Sequence, residues 1–170
     1  IRDTASSHNR LFFVEVMGKD AGFIALGSGI SVGAEAILVP ETPTYIDKLI
    51  EKLETGRRKS KSSGIVIVAE GDDKGGAYEV ARLVKEKFDF YDTRVSVLGH
   101  LQRGGAPSAK DRILASQFGY YAVEELLKGE TNKMVGIINN KIKLTSFSKA
   151  IKHNHTLSTN LLKLVDVLSI

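Results

Sequence analysis

The sequence predicts an α/β fold: a three-layer, mostly parallel sheet with helices on both faces. Three observations carry this. Apolar runs of strand length recur along the 170 residues, with helical patterns between them. Several runs are apolar without alternation, as strands covered on both faces are. Hydrophobic residues make up 42% of the chain and charged residues 26%, a balance that builds a core rather than a disordered chain.

Each element has its own signal. L-F-F-V-E-V at 11–16 reads as a strand with one charge, E-A-I-L-V at 35–39 as the second, and G-I-V-I-V-A at 64–69 as the third. V-S-V-L at 95–98 is the fourth and M-V-G-I-I at 134–138 the fifth. Tyr45, Ile46, Leu49, Ile50 and Leu53 recur at helical spacing, with Thr44 placed to cap and Gly56 to stop the helix. Residues 77–88 put Val80, Leu83, Val84 and Phe88 on one side. The clearest helix is 108–128. Ser108 and Asp111 have capping-box spacing, Ile113, Leu114, Phe118, Val123, Leu126 and Leu127 form the apolar stripe, and Lys128-Gly129 ends it. K-I-K-L-T at 141–145 reads as a short strand, and 156–168 carries a weak helical stripe. One domain is expected over 1–170, with 139–170 as a peripheral C-terminal segment and G-D-D-K-G-G at 71–76 as a loop.

Composition narrows the function classes. The chain has no cysteine, so disulfides and thiolate metal sites are excluded, which suits a cytoplasmic protein. It has no run of 18 apolar residues, so no membrane-spanning helix is expected. It opens Ile-Arg-Asp-Thr, without an initiator Met or an apolar leader, and reads as an internal segment of something longer or a processed product. The net charge of +4 permits an anionic ligand. R-R-K-S-K at 57–61 is the densely basic stretch, but no aromatic platform adjoins it, so nucleic acid is not expected as a partner. Four histidines, His8, His100, His153 and His155, form no H-E-x-x-H pattern.

Ligands of open parallel sheets bind outside the carboxyl ends of the strands. Met17-Gly18-Lys19-Asp20 follows the first strand, Glu70-Gly71 the third, and Gly99-His100 the fourth, with Arg103-Gly104-Gly105 close behind. Singly these residues mean little: a lone histidine after a strand is usually structural, and an arginine opening a strand is most often a surface residue. Their joint placement at one rim points to a polar pocket. Arg103, His100, Arg94 and Arg10 could together neutralise a dianion. Glu70 would repel a phosphate and better suits sugar hydroxyls, which donate to a carboxylate. Cations at one end and a carboxylate at the other fit a sugar phosphate.

At these residues the sequence resembles the C-terminal half of the bacterial-type ATP-dependent 6-phosphofructokinases. The matching pieces are T-A-S-S-H-N-R at 4–10, V-E-V-M-G-K-D-A-G at 14–22, A-E-G at 69–71, V-L-G-H-L-Q-R-G-G-A-P at 97–107 and D-R-I-L-A at 111–115. The loop after Glu70 is slightly longer than the family pattern, and the resemblance thins beyond about residue 140. It implies the Rossmann-like half of such an enzyme. Met17, Gly18, Glu70, His100 and Arg103 would bind fructose 6-phosphate within one subunit, while Arg10 and Arg94 would reach a neighbour's sugar phosphate in a homotetramer. Lys19 stands where the family has Arg, near the transferring phosphoryl group; lysine keeps the charge but loses the bidentate fork. Arg2, Gly33, Glu35, Lys59 and Lys61 match positions that bind ADP or phosphoenolpyruvate as effectors, with Glu35 at the effector-bound magnesium.

The resemblance also implies an absence. The family's Gly-rich ATP loop, G-G-D-G segment and T-I-D-N-D segment, whose first aspartate is the catalytic base, do not occur in 1–170. ATP with Mg2+ would then be held by an N-terminal half outside this chain, and the segment alone would lack activity. Two alternatives stay open at this point: a pyrophosphate-dependent phosphofructokinase and a noncatalytic sugar-phosphate-binding module.

Overall fold

Strand β1 (Arg10–Val16) lies inside the sheet because its side chains are apolar on both faces. In this computed structural model, which describes residues 1–6, 9–59, 63–152 and 156–168, it follows the one-turn helix α1 (Arg2–Ser6) and pairs in parallel with β3 (Gly64–Ala69) and β4 (Asp92–Val97). β2 (Ala36–Leu38) pairs with the other side of β3, so the parallel sheet has the order β2-β3-β1-β4.

Alternation along the strands feeds two cores. Phe12, Val14 and Val16 of β1 join Ile65, Ile67 and Ala69 of β3 on one face, packed with Ala25 and Leu26 of α2 (Phe23–Ser31). Leu11 and Phe13 join Val66 and Val68 on the other, packed with α3 (Ile46–Arg58) and α4 (Ala77–Lys87) through Leu49, Leu53, Val80 and Val84. Each fully buried side chain of this kind contributes about 1.5–3 kcal/mol. The three-layer expectation holds in this region.

Several local expectations change. Thr44 does not cap α3. Tyr45 occupies the N-cap position without a side-chain bond, and Thr44 instead turns its hydroxyl to Asp72 (2.6 Å) and its N–H to Asp73 (2.9 Å). Gly56 does not stop α3: the helix continues to Arg58, with Gly56 buried inside it. β4 begins three residues earlier than the apolar run, at Asp92, because an edge strand tolerates polar residues on its open side. Helix α2 has no clear pattern in sequence because Gly27 and Gly29 interrupt it at a helix cost of about 1 kcal/mol each. At Gly29 the missing side chain leaves room for Ile37, whose Cδ1 a Cβ would meet at 2.3 Å.

The chain forms two compact units, 1–103 with 157–170, and 104–156. The second holds α5 (Ala109–Leu127), the strands β5 (Lys133–Ile138) and β6 (Lys141–Ser146), and the short helix α6 (Phe147–Ala150). The expected capping box is present: Ser108 N–H donates to Asp111 Oδ2 (2.9 Å), and Asp111 N–H donates to Ser108 Oγ (3.3 Å). The fifth strand does not extend the parallel sheet. β5 pairs antiparallel with β6. The turn between them is Asn139-Asn140, with φ of 51° and 59°, the left-handed pair that a two-residue hairpin requires. Of the C-terminal stretch, 139–156 lies in the second unit. Helix α7 (Thr159–Leu168) belongs to the first, where Leu157 and Val165 enter the core. No helix among the described residues is long and apolar enough to cross a membrane.

Candidate sugar-phosphate site

The carboxyl ends of β1, β3 and β4 lie side by side. Their ladder runs one step past the strands: Glu70 N–H donates to Val16 O (3.0 Å) and Leu98 N–H to Glu15 O (3.1 Å). Beyond that point the backbone of β1 turns sharply. Gly18 has φ of 153° and Lys19 a left-handed φ of 49°. A Cβ at Gly18 would stand 2.3 Å from Ala21 O, and one at Gly71 would stand 2.0 Å from Lys19 O, so glycine is required at both.

Side chains from the neighbouring tips hold this turn. Glu70 Oε1 accepts the N–H groups of Lys19 (2.6 Å) and Gly18 (3.1 Å). Gln102 Oε1 accepts the N–H of Met17 (2.8 Å). Gln102 lies on a one-turn 3-10 helix, Gly99–Arg103, that directly follows β4. Other carboxylates brace the same rim: Glu15 accepts from Ala77 N–H at the start of α4 (2.7 Å), and Glu41 accepts from Gly22 N–H at the start of α2 (2.9 Å).

Met17, Gly18, Lys19, Ile24, Glu70, Gln102 and Arg103 line one cleft of about 320 Å3. The bonds from the Lys19 and Gly18 N–H groups hold the Glu70 carboxyl below the usual carboxylate range, helped by the charges of Arg103 and His100. Both bonds fall on Oε1; among the described residues Oε2 receives none, and it is the oxygen left to accept from a ligand hydroxyl. The rim thus brings together Met17, Gly18, Lys19, Glu70 and Arg103; His100 lies on the same 3-10 helix as Arg103 but not among the residues that line the cleft. Other clefts among the described residues are as large or larger. One, of about 330 Å3, lies between β2 and α7 and carries lysines without a carboxylate; another, of about 500 Å3, lies in the second unit and has one lysine and one glutamate. Chemistry rather than volume singles out the rim.

Arg10 and Arg94 stand elsewhere, so the four cations do not meet around one dianion within a single chain. Arg10 opens β1, six residues before Val16, roughly 20 Å along the strand. It donates from Nε to Asp92 Oδ2 (3.2 Å), which also accepts from Arg94 Nη2 (2.9 Å). Desolvation works against ionisation of Asp92, but the bonds from Arg94 and Arg10 outweigh it and hold its carboxyl low. Two guanidinium groups thus gather on one exposed carboxylate at the far end of the strands from the cleft.

The positions matched to an effector site fall around the ends of α2 and α3. The Arg2 guanidinium donates to Val32 O and to Gly33 O (3.3 Å), the carbonyls of the C-cap residue of α2 and of the residue after it, where Gly33 has φ of 61°. Lys59 closes α3, its N–H donating to Gly56 O (3.1 Å). Glu35 borders a space of about 10 Å3 with Gly64 and Tyr91, about the room of one water. Lys61 lies outside the described residues. Among the described residues no group of three or more His, Asp or Glu is placed to hold a metal ion.

Gln102 and Glu15 were missed from sequence as rim residues. Gln102 stands between two residues singled out there, and Glu15 is the one charge of an apolar strand; each was a signal that a polar side chain had backbone to satisfy.

The family model described as Phosphofructokinase matches residues 1–126. The chain is 51% identical over all its 170 residues to "ATP-dependent 6-phosphofructokinase 2" of Bacteroides thetaiotaomicron, covering 52% of that protein. It is 48% identical over the same length to "ATP-dependent 6-phosphofructokinase 1" of Thermus thermophilus, again 52% of that protein. The chain therefore spans about half the length of these curated relatives. Among solved structures, the phosphofructokinase of Saccharomyces cerevisiae superimposes with a TM-score of 0.80 at 31% identity, over 98% of this chain and 23% of that one. A pyrophosphate-dependent phosphofructokinase from Marinobacter aquaeolei shares the fold, with a TM-score of 0.80 at 24% identity over 94% of this chain and 48% of that one. With most of its length matched by the family model and relatives of this identity along all of it, the chain belongs to the phosphofructokinase family.

Proposed function

We propose that this chain is the fructose 6-phosphate side of an ATP-dependent 6-phosphofructokinase. The observation that carries the reading is the shared cleft of Glu70 and Arg103, a carboxylate and a guanidinium facing one space of sugar-phosphate size. Arg103 and His100 anchor the 6-phosphate, and Glu70 Oε2 accepts from a ring hydroxyl. Lys19 stabilises charge on the phosphoryl group in flight. The 1-hydroxyl oxygen of the sugar attacks the γ-phosphorus of ATP in line, the bond from that phosphorus to the ADP oxygen breaks, and the hydroxyl proton passes to a base on the half of the enzyme outside this chain. The products are fructose 1,6-bisphosphate and ADP. ATP and its Mg2+ belong to that other half, where the metal would supply neutralisation of phosphate charge.

The relatives' names favour ATP as donor. Arg10 and Arg94 serve a neighbouring subunit's sugar phosphate in a homotetramer, a role supported by their distance from the cleft of their own chain. Arg2, Gly33, Glu35, Lys59 and Lys61 form part of an intersubunit effector site for ADP or phosphoenolpyruvate, Glu35 at its magnesium. Glycolysis in the cytoplasm is the setting.

In the full-length protein, Arg103→Ala raises the KM for fructose 6-phosphate and leaves the KM for ATP unchanged. Loss of a charge-assisted contact costs roughly 1.5–3 kcal/mol, or about 10–150-fold. Steady-state kinetics with coupled ADP detection reads this. An unchanged sugar KM removes Arg103 from the site, and turnover with pyrophosphate but not ATP overturns the donor assignment.

A further inference from the structure

We propose that Gln102 is a positioning residue: by accepting the Met17 N–H, its side-chain carbonyl sets where Arg103 stands in the cleft. The proposal rests on the sugar-phosphate reading of that cleft.

Strand β1 ends at Val16, so Met17 is the first residue whose N–H has no place in the ladder. Its N–H and the next two are taken by side chains from other segments, Met17 by Gln102 (2.8 Å), and Gly18 (3.1 Å) and Lys19 (2.6 Å) by Glu70. Three successive N–H groups thus tie β1 to the ends of both β3 and β4. The tie to the β4 side is Gln102.

The 3-10 helix that carries Gln102 needs such a tie. None of its five residues is buried, and Leu101 is 77% exposed, so apolar packing does not hold it. Its backbone is joined to the strand end by Leu101 N–H to Leu98 O (3.2 Å). Gln102 adds a bond across to β1, and Arg103 is the next residue. Chemistry also fixes which way the amide faces. An N–H must meet the carbonyl oxygen, so Oε1 points at Met17 and Nε2 points away. A side chain of equal length without an acceptor leaves the Met17 N–H unpaired and frees the turn that carries Arg103.

The test uses the full-length protein. Gln102→Met keeps length and bulk but removes the acceptor. It is expected to raise the KM for fructose 6-phosphate about fivefold, the effect of one ordinary hydrogen bond, with the KM for ATP and the melting temperature unchanged. Amide exchange at Met17 speeds up by about fivefold in that variant and stays slow in Gln102→Glu, which retains an acceptor. An unchanged sugar KM in Gln102→Met overturns the proposal, as does an equal rise in both KM values with a lower melting temperature. If Gln102→Met does not fold, the Met17 amide decides. Slow exchange in the unaltered protein and in Gln102→Glu supports the proposal, and exchange as fast as an unbonded loop amide overturns it. Arg103→Ala run alongside separates the two readings. If it leaves the sugar KM unchanged, the site itself is wrong; if it raises the KM and Gln102→Met does not, only the role of Gln102 falls.

Discussion

The two units of the chain are held together by different physics. In the first, Phe13, Val39, Val66, Val68, Val80 and Val84 are completely buried. In the second, no described residue from 104 to 156 is buried. Ile113, Leu126 and Leu127 of the α5 stripe are 61%, 63% and 83% exposed. Both units carry well-formed elements, yet the second relies on local devices: a capping box at Ser108 and Asp111, a glycine at φ 85° after α5, and a two-asparagine hairpin turn. A helical apolar stripe thus forms a helix by itself, but it forms a core only where another surface covers it.

Core truncation gives the widest separation between the units. Phe13→Ala is expected to destabilise by about 3–5 kcal/mol, the range for a buried phenylalanine. Leu127→Ala, in a side chain open to solvent, is expected to stay within about 0.5 kcal/mol. Guanidinium unfolding followed by far-UV circular dichroism measures both. Equal losses would erase the contrast.

A smaller effect tests the local devices. Ser108→Ala removes the cap of α5 and is expected to cost about 1 kcal/mol. Amide exchange should rise in the first turn of α5 and not in β1. A rise spread over both units would show that they unfold together.

Acid sharpens the comparison further. The side-chain and backbone bonds from Ser108 hold the Asp111 carboxyl below its ordinary value. Its stabilisation is therefore fully present above about pH 4 and is lost as the pH falls through the lower folded value. Asp72, in the first unit, has the opposite sign. Burial raises its pKa against the bonds from the Thr44 hydroxyl and Lys74 N–H, so its contribution improves as the pH falls through that raised value. Amide exchange through an acid titration should show α5 loosening at its start, and Ser108→Ala should abolish that dependence. An acid dependence that persists unchanged in Ser108→Ala would overturn the assignment to Asp111.

Much of the fold was legible because its signal is local. The runs at 11–16 and 64–69 are apolar on both faces, which only a covered strand tolerates, and both became inner strands. Ser108 and Asp111 announced a helix start that the structure contains. Helix α2 was hidden because Gly29 serves a contact with Ile37 rather than helix propensity. The hairpin escaped because Asn139-Asn140 lacks the usual glycine. At the site, Glu70, His100 and Arg103 were readable as polar residues at strand ends.

By itself the sequence determined the strands, the long helices and the rim where polar side chains gather, since period and turn chemistry act over a few residues. Tertiary structure alone decided which acceptor meets which N–H. Gln102 reaches Met17 across 85 positions and Glu70 reaches Lys19 across 51, separations at which no local pattern operates. It also decided that Arg10 and Arg94 gather on Asp92 rather than at the cleft, because parallel pairing sets Arg10 opposite Asp92 at the far end of the strands.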